Sequence, residues 1–153
     1  MVNAVCLPEH DLEDTLRLLR FDDVCIRGKI ALGQGDGAVG ERLAHLFHSL
    51  GLERMQVSNN DRSAWLVPPY ETKTERQHIE LFRSHVATRV CRWGDYERGK
   101  KLYLAGGGEL DDFEELFELD VRRHEKVLAD IDAGIHVWGG GFVMYVASGR
   151  KPV

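Results

Sequence analysis

Apolar positions recur along the chain in two periods, and the switches between them mark its elements. Asp11, after Pro8, is placed to cap a helix in which Leu12, Leu16, Leu19 and Phe21 form an apolar stripe, closing at the Phe21-Asp22-Asp23 break after about three turns. Val24 to Leu32 reads as a strand interrupted by Gly28, because Val24, Ile26 and Ile30 are β-branched. Val39 to Leu50 reads as a helix: Val39, Leu43, Leu46, Phe47 and Leu50 share one face, and Gly51 stands where a C-terminal cap belongs. Met55 to Ser58 is a second strand. Strand, helix and strand with short links predict a parallel βαβ unit with a right-handed crossover.

The pattern turns helical beyond Pro68-Pro69. Thr74 opens a charged stretch in which Ile79, Phe82, Val86 and Val90 recur at helix spacing as far as Trp93. Gly106, Gly107 and Gly108 break it, and Asp111 to Ile131 is the longest predicted helix, with Phe113, Leu116, Phe117, Val121 and Leu128 on its apolar side. Acids crowd its start and bases its later turns, as the helix dipole favours. After Gly139-Gly140-Gly141, the apolar run from Phe142 to Ala147 has the mark of a strand covered on both faces. The expected layout is an α/β sheet layer with helices inserted at about 68–138, all within one domain.

Composition narrows the classes. The chain has 153 residues, enough for a substantial core without metal or disulfide staples. Its 20 basic and 25 acidic side chains give net charge -5, so it lacks the positive footprint of non-specific nucleic-acid binding, and no nucleic-acid partner is expected. Cys6, Cys25 and Cys91 form no paired motif and read as free thiols of a reducing compartment. No apolar run approaches the roughly 18 residues of a membrane span and no charged-then-apolar leader stands at the start, so a cytoplasmic protein without membrane contact is expected.

Gly35-Asp36-Gly37-Ala38-Val39-Gly40 is a G-x-G-x-x-G, with Asp61 near the spacing of about 20 residues at which a dinucleotide fingerprint places its acid. In that reading Gly35, Gly37 and Gly40 seat a diphosphate, Asp61 binds a ribose, and the chain is a nucleotide-binding oxidoreductase. The plainer reading is a turn into a helix with Asp36 as its cap. His45 and His48 lie three apart without a third ligand at matching spacing, so no metal site is expected. His78, His85 and His124 fall in polar helical stretches and read as solvated, whereas His136, beside Trp138 and the glycine run, is the better pocket candidate.

Three segments resemble the C-terminal half of class I S-adenosylmethionine-dependent methyltransferases. Asp36-Gly37-Ala38-Val39-Gly40-Glu41-Arg42-Leu43, running on to Leu50-Gly51-Leu52, is similar to the helix before that family's sixth strand, and Met55-Gln56-Val57-Ser58 is similar to the strand itself. Gly141 to Pro152, ending in Arg150-Lys151-Pro152, is similar to the final antiparallel strand. The resemblance implies a partial Rossmann-like methyltransferase sheet with a helical lid over the substrate. It also implies that the glycine turn and ribose-binding acid of the family lie outside these residues, so that S-adenosylmethionine binding is not expected of this chain alone. A truncated relative or one part of a split enzyme follows, with its open sheet edge covered by a partner chain or by a second copy in a homodimer. Trp65, Tyr70, Trp93, Tyr103 and His136 would then line the pocket for a small molecule under the lid. Packing of the inserted helices explains the same aromatic residues. A non-catalytic ligand-binding or regulatory protein is the alternative.

Overall fold

The computed structural model describes residues 12–37, 39–59, 64–140 and 144–152. Helices and strands follow in the order α1 (Leu12–Ala31), α2 (Val39–Ser49), β1 (Glu53–Asn59), β2 (Ala64–Leu66), α3 (Lys73–Thr88), α4 (Tyr96–Ala105), α5 (Leu110–Asp132), β3 (Trp138–Gly140) and β4 (Tyr145–Arg150). The mixed helix-and-sheet class is as expected. The chain divides into two compact units, Met1–Gly35 with Trp65–Trp138, and Asp36–Ala64 with Gly139–Val153.

The first unit is helical, and its opening corrects the sequence reading. Residues 24–31 continue α1 and form no strand. Strand preference of β-branched residues is weak and yields to packing. Thr15, Leu18, Phe21, Asp22, Cys25 and Gly28 are buried at three- and four-residue spacing, so one helical stripe runs straight through the expected break. Neither aspartate ends the helix. Asp23 pairs with Arg27 one turn on, at 3.0 Å, and Asp22 turns into the core. Gly28 marks the crossing of α1 and α4: a Cβ there would overlap the carbonyl of Leu102, and one on Gly106 would overlap the carbonyl of Val24. The two backbones touch because neither residue has a side chain.

Helix α3 begins with a capping box, in which the Glu75 amide donates to Thr72 Oγ1 (3.2 Å) and the Thr72 amide donates to Glu75 Oε2 (2.9 Å). It stops at Arg89, short of the expected Trp93, and a tight turn closes with paired Cys91 and Gly94 backbone bonds of 2.9 and 3.0 Å. Asp95 then caps α4, accepting from the Arg98 amide at 2.8 Å. That helix is absent from the sequence reading. Helix α5 agrees with its prediction to within a residue at each end.

Leu18, Phe21, Cys25, Cys91, Leu102, Tyr103, Phe113 and Phe117 form the larger core cluster, with the rings of Phe21, Tyr103 and Phe113 5.5 to 6.0 Å apart. A smaller one gathers Leu66, Val127 and Ile131 with Tyr70, Ile79, Phe82 and Trp138. β2 and β3 pair as a two-stranded sheet.

In the second unit α2 packs on β1 and β4. The parallel βαβ unit is not formed, since its first strand is helix and β1 pairs antiparallel with β4, from Glu53 opposite Arg150 to Asn59 opposite Tyr145. The ring of Tyr145 lies where a Cβ of Gly40 would stand, and Gly149 faces Leu52 and Phe47. Expected to be covered on both faces, the last strand is instead largely exposed, with Val146 at 67%. Of the run from Phe142, the first two residues lie outside the described residues. No described residue of α2, β1 or β4 is buried.

Candidate functional site

The glycine turn joins two helices. Gly33 and Gly35 adopt positive φ of 67° and 98°, and a Cβ on Gly35 or Gly37 would meet nothing within 4 Å. Asp36 is engaged with Arg42 at 2.8 Å, and its carbonyl accepts from the Val39 amide at 3.2 Å. Gly40 lies within α2, against Tyr145. A dinucleotide fingerprint needs a strand before the turn, which orients the helix N-terminus toward the diphosphate; here α1 precedes it. Asp61 lies outside the described residues. Gly106 to Gly108 likewise join helix to helix. Both of these glycine turns are therefore helix-to-helix connections.

The expected pocket residues divide among three environments. Trp65 is 63% exposed on β2. Tyr70 and His136 do meet: the Tyr70 hydroxyl donates to the His136 carbonyl at 2.8 Å, beside the smaller core cluster. Burial raises the pKa of Tyr70 above its ordinary value. Trp93 and Tyr103 belong to the larger cluster, Tyr103 with its ring tilted against those of Phe21 and Phe113, and Trp93 donating its indole N–H to Asp22 Oδ1 at 2.9 Å. These five side chains do not converge on one cavity. An open crevice of about 290 Å³ is lined instead by Gln34, Glu97, Arg98, Lys101 and Leu102.

The densest polar arrangement went unread in the sequence. Arg92 bridges two buried carboxylates: Nη1 donates to Asp22 Oδ2 at 2.7 Å, while Nε and Nη2 reach Asp120 Oδ1 at 3.0 and 2.9 Å. Its own amide donates to Asp120 Oδ2 at 2.8 Å. With the Trp93 indole on Asp22, all four carboxylate oxygens accept a hydrogen bond, the condition under which buried charge is tolerated. Burial works against the guanidinium charge, but Asp120 and then Asp22 outweigh it and hold the Arg92 pKa above its ordinary value. One signal was available: Asp120 stands on the same helical stripe as Phe113, Leu116 and Phe117, where a carboxylate needs a buried partner.

This cluster ties α1, the connector of residues 89–94 and α5 together, and so orders the unit. The two described thiols, Cys25 and Cys91, are buried. Burial, followed by the proximity of Cys91, raises the Cys25 pKa, and burial pushes Cys91 up to about 11. Among the described residues no group of three or more His, Cys, Asp or Glu is disposed to hold a metal ion. None of the described helices is long and apolar enough to cross a membrane. Compared with family models, curated proteins and solved structures, the chain matches none.

Proposed function

We propose that these residues form the substrate-side, C-terminal part of a methyltransferase-like protein related to class I S-adenosylmethionine-dependent small-molecule methyltransferases, with the cofactor gripped by residues other than these. The observation that carries the reading is the second unit. Helix α2 leads through Gly51 into β1, β1 pairs antiparallel with β4, and α3, α4 and α5 are inserted between those strands in the chain. That order and polarity are the ones the resemblance implies for the helix, the sixth strand, the lid and the last strand. Additional support comes from exposure: two strands and one helix without a buried residue make a poor independent sheet, which favours completion by further strands from a partner chain or a second copy.

The test is calorimetry with S-adenosylmethionine. The chain alone gives no binding heat, and the chain mixed with a polypeptide carrying a strand, glycine turn and ribose-binding acid gives a stoichiometric signal and methyl transfer to a small-molecule acceptor. Tight binding by the chain alone would refute the assignment of the cofactor grip to other residues. A non-catalytic binding or regulatory role is the second reading, favoured by one observation: the charged cluster and both described thiols are engaged in packing. A complex that binds the cofactor equally well without this chain would decide for it.

A further inference from the structure

The sequence leaves His85 and His124 as separate solvated residues; the fold sets their rings 5.6 Å apart, inclined at 43°. His85 lies in the last turn of α3 and His124 in α5, where the edge of the Phe82 ring also meets it. His124 Nδ1 is 3.1 Å from the carbonyl of Val90. A carbonyl only accepts, so Nδ1 carries the proton and the lone pair of the neutral ring is on Nε2. One turn before His124, Asp120 binds the Arg92 amide and guanidinium. Two neighbouring residues of α5 thus hold the same connector, at Val90 and at Arg92.

We propose that the His85–His124 pair is an acid-sensitive clasp: with His124 neutral it closes α5 over the connector of residues 89–94, and proton uptake at His124 releases that connector together with the last turn of α3. The proton comes from solvent and adds at His124 Nε2. Burial opposes the resulting charge and lowers the His124 pKa from its ordinary value. His85 on α3 and Arg92 on the connector act in the same direction, whereas Asp120 on α5 and the Val90 carbonyl oppose them. Asp120 is held in place by Arg92 and cannot turn to follow the new charge. At the rim, Arg89 and Glu118 are paired with each other at 2.8 Å. The two rings are only 5.6 Å apart, so positive charge on both is unfavourable. A folded pKa below the unfolded one means that the clasp contributes fully above about pH 6.5 and is lost as the pH falls through that value and below.

The experiment is amide hydrogen exchange, expressed as protection factors, between about pH 7.5 and about pH 5, the range of histidine titration. Protection at residues 85–93 falls on acidification while that of residues 15–28 holds. His85→Gln, at a half-buried site, reduces the fall by removing the ring that opposes charge on His124, and His124→Gln makes protection at 85–93 low and independent of pH. Equal loss in both segments of the unaltered protein, or an undiminished fall in His85→Gln, would overturn the proposal. Should His124→Gln not fold, His85→Gln decides alone.

Discussion

Replacing Gly28 by alanine separates local preference from tertiary contact. Alanine is better than glycine inside a helix by about 1 kcal/mol, so α1 considered alone is stabilised. The new methyl, however, falls on the Leu102 carbonyl oxygen and carbon, with the Gly106 nitrogen 3.0 Å away, and all three are backbone atoms that no rotamer change can move. Relief requires α1 and α4 to part by more than an ångström toward an ordinary contact of about 3.5 Å. That loosens Leu18, Phe21 and Cys25 from Leu102 and Tyr103. Overpacking of this kind costs about 1–3 kcal/mol, with the upper end expected where backbone is struck. Net of the helix gain, Gly28→Ala destabilises by about 2 kcal/mol, a fall in Tm of roughly 4–8 °C. Gly99→Ala is the control, because the same helix gain applies while its neighbours, Cys91 Sγ and Phe113, are side-chain atoms 3.3 Å away. Urea unfolding of both variants measures the difference. A Gly28→Ala protein as stable as the parent would refute the contact between α1 and α4, and with it the helical assignment of residues 24–31.

Two further perturbations probe the polar anchors. Arg92→Met leaves Asp22 and Asp120 facing each other without their cation and should lower unfolding stability by about 3–5 kcal/mol in urea titrations; a loss below about 1 kcal/mol would show that the bridge is not formed. The Glu75 carboxyl is held below its ordinary range, first by the Thr72 hydroxyl and then by the Thr72 and Val67 amides. Its contribution is therefore present above the unfolded glutamate value of about 4.3 and is lost as the pH falls through the lower folded value. Followed by NMR, the Thr72 and Glu75 amides should lose their capped positions only in strong acid, and Glu75→Gln should abolish that transition.

What was legible in the sequence was local. The period of α2 and α5, the glycine after α2, the acid-to-base order along α5 and the helical character after Pro68-Pro69 all depend on residues within a few turns of one another, and these elements stand where the pattern puts them. The resemblance also rests on such local segments, α2, β1 and the last strand. Residues 24–31 show where that reasoning ends. Their β-branched side chains favour a strand locally, but a partner for Asp22 seventy positions away and a glycine at the α4 crossing make the longer helix the better packed state. Sequence spacing likewise could not show that Trp93 and Tyr103 enter one core while Tyr70 and His136 meet beside another, because that division is made by the packing of α5 along its length. The pairing of β1 with β4 and the meeting of His85 with His124 are of the same kind. Local preferences mark most of the elements, but the helix at residues 24–31 and the partners distant in the chain are chosen by burial and by the need to satisfy buried charge, and those terms exist only once the chain has folded.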